Sequence, residues 1–178
     1  SMEDYRHRQP LESALPRVSI VVPVLCNLDA VERLLASVMP APAVEIILVD
    51  GGEDPGLERI SRRHDHIHVL RAGQGRARQM NAGAAVATGD WLLFLHADSV
   101  LPQNWREGLL AAPRDSVGGW FRFALEDPAW QARVIERGVA LRVRGLRLPY
   151  GDQGIFVRRH VFDRLGGMAS SACSSAVI

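Results

Sequence analysis

The sequence predicts an α/β fold: a mainly parallel, Rossmann-like sheet flanked by helices. Three observations predict it. VSIVVPVL (18–25), VEIILVD (44–50) and WLLFL (91–95) are nearly unbroken apolar runs, the pattern of strands covered on both faces. Helical segments lie between the strand-like runs, so that strand and helix alternate three times in about 80 residues, as in right-handed βαβ crossovers. The runs end in Pro23, Asp50 and His96-Ala97-Asp98, polar or constrained residues at the carboxyl ends of strands, where such sheets bind ligands.

Taken in order, the first strand is Val18 to Leu25. LDAVERLLASVMP follows as a helix, with Asp29 and Glu32 read as a capping box, Val31, Leu34, Leu35 and Val38 on one face, and Pro40 as its stop. Val44 to Asp50 is the second strand. Asp54 and Pro55 read as N-cap and first residue of the next helix. HIHVL (66–70) is a short third strand, GRARQMNAGAAVATGD an alanine-rich helix ending at Gly89, and WLLFL the fourth strand. Beyond Pro102 the pattern changes. PQNWREGLLAAP reads as a helix and GGWFRFAL as an antiparallel strand. AWQARVIERGVALRVRGL (129–146) reads as helical, and YGDQGIFVRRHVFDRLGG as loop, strand and short helix.

The 178 residues suffice for one domain with a real core. Ser1-Met2 reads as a cleavage scar and residues 1–16 together as scar and polar leader. Residues 17–168 are expected to form one domain of two halves, 17–102 for a nucleotide and 103–168, mixed in structure, for something else. Residues 169–178 are an atypical tail of small residues. No apolar run reaches the roughly 18 residues of a bilayer span and no signal-peptide pattern is visible, so a cytoplasmic location is expected. The formal net charge of +1 gives no reason to expect nucleic acid as a partner. All 21 basic residues are arginine. Cys26 and Cys173 are isolated and match no metal or disulfide spacing.

Four stretches carry candidate chemistry, each with a plain alternative. Asp50, followed by Gly51-Gly52, can accept hydrogen bonds from a ribose or a base; Asp-Gly is also ordinary turn chemistry. Asp98 can hold Mg²⁺ or Mn²⁺ against a diphosphate, or merely cap the turn before Pro102. His96 is a second candidate ligand, better suited to Mn²⁺, or a packed strand-end residue. GQGRARQMNAG (73–83) joins glycines, Arg76 and Arg78 at a helix start, a combination that favours phosphate; the alternative is a solvated helix face. It lacks the third glycine of a dinucleotide fingerprint and does not follow the first strand, which argues against a dehydrogenase. Gly151-Asp152-Gln153, before another glycine, could read sugar hydroxyls or simply form a turn. Between Pro128 and Arg164 eight arginines face three acids. They suggest either a peripheral contact with an anionic membrane surface or phosphorylated acceptor, or a solvated face.

Together VSIVVPVL, VEIILVDGGEDPG, GRARQMNAGAAVATGDWLLFLHADSVLP and LPYGDQGIFVRRHVFDRLGGM resemble the family 2 glycosyltransferases of GT-A fold. The particular likeness is to a bacterial subgroup with Leu-His-Ala-Asp in place of Asp-x-Asp. The resemblance covers about residues 17 to 168. It implies inverting transfer from a nucleotide-diphosphate sugar, a UDP-sugar in the first instance, to an acceptor hydroxyl with Mn²⁺ or Mg²⁺. It also implies roles: Pro23 and Val24 beside the nucleotide, Asp50 and Gly51 at a uridine-like moiety, Arg76 and Asn81 on the nucleotide or phosphate side. His96 and Ala97 would stand in the signature, Asp98 would be the metal ligand, and Gly151, Asp152 and Gln153 would face sugar and acceptor.

Two departures are visible. CNLDA stands where the family has Asn-Glu, which makes Asn27 or Asp29 a substitute contact. The acidic pair that supplies the family's base after Gly-Gly-aromatic has no counterpart in ASSACSSAVI, which leaves Asp152 as the candidate base. A GT-A-like nucleotide-sugar binding protein without turnover is the alternative. A nucleotidyltransferase is less well matched, because PVLCNLDA is not a basic Gly-rich loop.

Overall fold

The computed structural model describes residues 16–38, 41–99, 101, 103–112, 116–122, 131–136 and 153–167. The strands are β1 (Val18–Val24), β2 (Val44–Asp50), β3 (Ile67–Arg71), β4 (Trp91–Phe94), β5 (Ser116–Arg122), β6 (Gln131–Glu136) and β7 (Gln153–Arg158). The helices are α1 (Leu28–Val38), α2 (Pro55–Arg63), α3 (Arg76–Val86), α4 (Trp105–Leu110) and α5 (Arg159–Leu165). All seven strands form one sheet in the order β3-β2-β1-β4-β7-β5-β6. The first four are parallel. β7 runs antiparallel between β4 and β5, and β6 pairs antiparallel with β5. The expected parallel half and mixed second half are both present.

Alternation along the strands divides the core into two layers. Ile20, Val22, Ile46, Leu48 and Leu93 pack with Val31 and Leu34 of α1, Leu57 and Ile60 of α2, and Trp105 and Leu109 of α4. Val21, Ile47, Val49, Leu92 and Phe94 face the other way, onto Met80 and Ala84 of α3 and Phe162 of α5. Because both faces are covered, the strands read as apolar runs without alternation. Each fully buried Leu or Ile contributes about 1.5–3 kcal/mol.

Two local expectations are corrected. The first helix begins at Leu28 and its cap is Asn27, whose Oδ1 accepts from Ala30 N at 3.3 Å. Asp29 is therefore inside the first turn and not the cap of a capping box. Asparagine caps as well as aspartate does, and the Asn27 carbonyl already accepts from Val31 N. The second correction concerns 129–146, read above as helical: residues 131–136 are strand β6, paired from Arg122↔Gln131 to Ser116↔Glu136. The free edge of β5 offers a ladder of hydrogen bonds that local helical spacing does not reveal. The second helix matches its prediction, with Asp54 Oδ1 accepting from Gly56 N at 2.9 Å and Pro55 in first position.

This topology positions one crevice. From β1 the chain winds outward through β2 to β3, then returns to place β4 on the other side of β1. The order reverses between β1 and β4, and ligands of open α/β sheets bind outside the carboxyl ends at such a reversal.

Candidate functional site

The carboxyl ends of β1, β2 and β4 and the amino end of α3 converge at this reversal. Pro23 and Val24 close β1 opposite Val49 and Asp50 of β2. Gly51 N donates to Val24 O at 3.0 Å, continuing the sheet one residue beyond the strands. On the other side Leu95 N donates to Val21 O at 3.1 Å. This directs His96, Ala97 and Asp98 off the sheet edge, where Ser99 N closes a turn on His96 O at 3.0 Å. His96 and Ala97 are half-buried and Asp98 is exposed.

Asp50 is 1% exposed. Its Oδ1 accepts from Gly52 N at 2.9 Å and its Oδ2 from Asp54 N at 3.1 Å. The carboxylate thus shapes the loop between β2 and α2. Gly52 lies beside Leu25 and Cys26 at the end of β1, where Cys26 adopts φ 49°. Asn27, the α1 cap, is exposed beside them.

Gly75 caps α3 with φ 140°, a backbone open to glycine alone without strain. Arg76 is the first residue of α3 and is half-buried; Asn81 lies one turn further on, also half-buried. A methyl group at Gly167, past the end of α5, would lie 2.7 Å from Asn81 Oδ1, so the turn after α5 closes directly on α3. Gln153 opens β7. The register that sets Phe94 opposite Ile155 carries it to the same sheet edge as His96. Gly151 and Asp152 lie outside the described residues.

The sequence reading missed Gln79. It is 4% exposed. Its Nε2 donates to Val24 O at 3.1 Å and Val49 O at 2.8 Å, while its Oε1 accepts from Gly75 N at 3.3 Å. One carboxamide thus joins the ends of β1 and β2 to the start of α3. The available signal was helical spacing: Gln79, Met80, Gly83 and Ala84 share the face that meets the sheet.

Arg158 and Arg159, two of the arginines read as a surface for anions, are engaged at the far end of the sheet. The Arg158 guanidinium stacks 4.2 Å from the Trp91 ring centroid and its Nε donates to Ser116 O at 2.7 Å. Arg159 Nε donates to Gly89 O at 2.8 Å. Among the described residues no three His, Cys, Asp or Glu side chains gather to hold a metal. No helix there is long and apolar enough to cross a membrane.

The acid-Gly-Gly loop after β2 and the arginine-bearing start of α3 thus lie together at the strand reversal. The chain matches the sequence model of glycosyl transferase family 2 over residues 19–171. It belongs to that family. Glycosyltransferase AglE of Haloferax volcanii is 25% identical over 173 residues, covering 88% of this chain and 57% of the relative. The fold is shared with the mannosyltransferase PcManGT of Pyrobaculum calidifontis, solved with GDP-Man and Mn²⁺, at a TM-score of 0.64 and 16% identity over 95% of this chain and 55% of that one. It is also shared with glucosyl-3-phosphoglycerate synthase of Mycobacterium tuberculosis, solved with UDP, at 0.55 and 17% over 85% and 60%. The expected glycosyltransferase fold is therefore observed. The chain spans just over half the length of AglE and PcManGT.

Proposed function

We propose that this family 2 domain transfers a sugar from a nucleotide-diphosphate sugar, UDP-linked in the first instance, to an acceptor hydroxyl with inversion at the anomeric carbon. The observation that carries the reading is the convergence at the strand reversal of Asp50-Gly51, the α3 start with Arg76, and Asp98. Pro23, Val24, Asn27, Asp50 and Gly51 are assigned to the nucleoside side. Arg76 and Asn81 are assigned to the phosphate side, with His96 and Ala97 between them and Asp98. Solved structures that share this fold hold GDP-Man and UDP, which supports a nucleotide-linked donor.

In the proposed reaction the acceptor oxygen bonds to the anomeric carbon as the bond to the diphosphate oxygen breaks on the opposite face. Charge develops on the leaving diphosphate. The positive end of α3 and the Arg76 guanidinium stabilise it, an interaction strongest in the transition state. Asp152 is the proposed acceptor of the hydroxyl proton, the part of a general base. Gly151 and Gln153 flank it on the sugar and acceptor side.

One exposed carboxylate, Asp98, fits a cation whose other ligands are phosphate oxygens and water, which is how Mg²⁺ and Mn²⁺ commonly bind. His96 is the second candidate ligand and would favour Mn²⁺. When bound, the ion supplies positive charge at the diphosphate.

The test is a thermal-shift panel of UDP, GDP, CDP and NAD with and without Mn²⁺, followed by transfer assays with the matching sugar donors. A ligand at a hundred times its Kd stabilises the native state by about 2.7 kcal/mol. The expected result is a Mn²⁺-dependent shift with a nucleoside diphosphate, absent in Asp98→Asn, and then turnover. No shift with any nucleotide overturns the assignment. A shift without turnover by any donor would favour the binding-protein reading.

A further inference from the structure

We infer that Gln79 is a positioning residue, which sets the nucleoside side of the crevice at a fixed distance from its phosphate side. The inference rests on the nucleotide-sugar reading above and adds to it a residue that touches neither substrate nor metal.

β1 and β2 are paired to their ends, through Val24↔Asp50. Gln79 ties both strand ends to α3 at once, since its single Nε2 donates to both Val24 O and Val49 O. Val24 O also receives Gly51 N, so the loop that carries Asp50 and Gly51 is tied to the same carbonyl. At its other atom, Oε1, Gln79 holds the N–H of Gly75, and its own backbone N–H closes the first turn of α3 on Gly75 O at 2.8 Å.

The packing is close enough to dictate sequence. A methyl group at Gly51 would lie 2.8 Å from Gln79 Nε2 and 2.9 Å from Cδ and Oε1. Glycine at position 51 and glutamine at position 79 therefore belong to one fitted unit. A buried amide that makes all three of these bonds is rigid, because each lost bond leaves a desolvated group behind. A nucleoside diphosphate that spans the crevice uses both ends of this unit. A fragment that occupies only one end does not.

That difference is the test. Gln79→Met keeps length and volume without the hydrogen bonds, and Gln79→Ala is the second variant. UDP, GDP, uridine, guanosine and inorganic pyrophosphate are titrated calorimetrically with Mn²⁺, at a temperature where both variants are folded. The expected result is a loss of about tenfold in affinity for the diphosphate that wild type binds, with fragment affinities changed less than twofold. A lower melting temperature with unchanged diphosphate affinity would mean that Gln79 is structural only and overturns the inference. Equal losses for diphosphate and fragments overturn it too, because the residue would then shape one subsite alone. Wild type that binds none of the five overturns the nucleotide reading itself, and this inference with it.

Discussion

Ser19 Oγ donates to Glu45 Oε1 at 2.5 Å across the β1–β2 pair, at the end of the sheet opposite the crevice. Ser19 is fully buried, and its hydroxyl in turn accepts from Gly89 N at 2.8 Å. The same carboxylate oxygen receives Thr88 N at 2.7 Å and Thr88 Oγ1 at 2.9 Å. Glu45 thus fastens the turn between α3 and β4 to the first two strands. Burial pushes its pKa up, but the bonds from Ser19 and Thr88 and the nearby His68 outweigh burial and hold it below the usual carboxylate value. A folded pKa that is depressed gives stability fully present above the unfolded carboxylate pKa of about 4.3, lost as pH falls through the folded value. Glu45→Gln is expected to cost about 1–2 kcal/mol at pH 7 and progressively less below pH 4. Urea midpoints of both proteins across that range check this; a gap independent of pH would contradict it.

Gly83 places α3 against the sheet. A methyl group there would lie 2.9 Å from Val49 Cγ2 and closer still to Val21 Cγ1. Both valines are fully buried strand residues and cannot yield without moving the backbone. On an exposed helix Gly→Ala gains about 0.8–1.0 kcal/mol. Here overpacking costs about 1–3 kcal/mol and decides the sign. Gly83→Ala should therefore unfold at lower urea than wild type, and Gly83→Val lower again. An alanine variant more stable than wild type would show that the layer has slack.

These two cases mark how far the fold could be read from the sequence. The parallel half was legible because Val18–Val24, Val44–Asp50 and Trp91–Phe94 carry burial in their own composition. The placement of Asp50 and Asp98 at one sheet edge followed from topology alone. Strand 131–136 was not legible, since its partner β5 lies nine or more residues away and its own letters suit a helix. Asn27 lost its cap to Asp29 because both are good caps within one turn. Gln79 and Glu45 were missed for a shared reason. Each is a polar residue whose partners come from elements distant in sequence.

Arg76 supplies the next prediction. At the first position of α3 it adds a guanidinium to the helix's own positive end. Arg76→Ala is expected to weaken nucleoside diphosphate binding about tenfold, in line with a charge-assisted bond of about 1.5–3 kcal/mol, and to leave nucleoside binding unchanged. The loss should shrink modestly as salt is raised from 50 to 500 mM, because charges within reach of solvent are screened within about 10 Å at 0.1 M and partly buried ones less. Titration of UDP and uridine at several salt concentrations reads both effects. Equal weakening of UDP and uridine would move Arg76 to the nucleoside side.

Asp152 offers the sharpest separation of chemistry from binding. It directly precedes Gln153, which opens β7 at the sheet edge shared with His96. As the proposed base it acts on the acceptor hydroxyl and on no part of the nucleotide. Asp152→Asn retains size and hydrogen-bonding capacity but cannot take a proton. Removal of a general base typically costs about 10²–10⁴-fold in rate. The expected result is a fall of that order in kcat for sugar transfer, with UDP affinity in the presence of Mn²⁺ unchanged. Near-normal transfer by Asp152→Asn would remove Asp152 as the base. A matched loss of UDP affinity would instead assign the residue to donor binding.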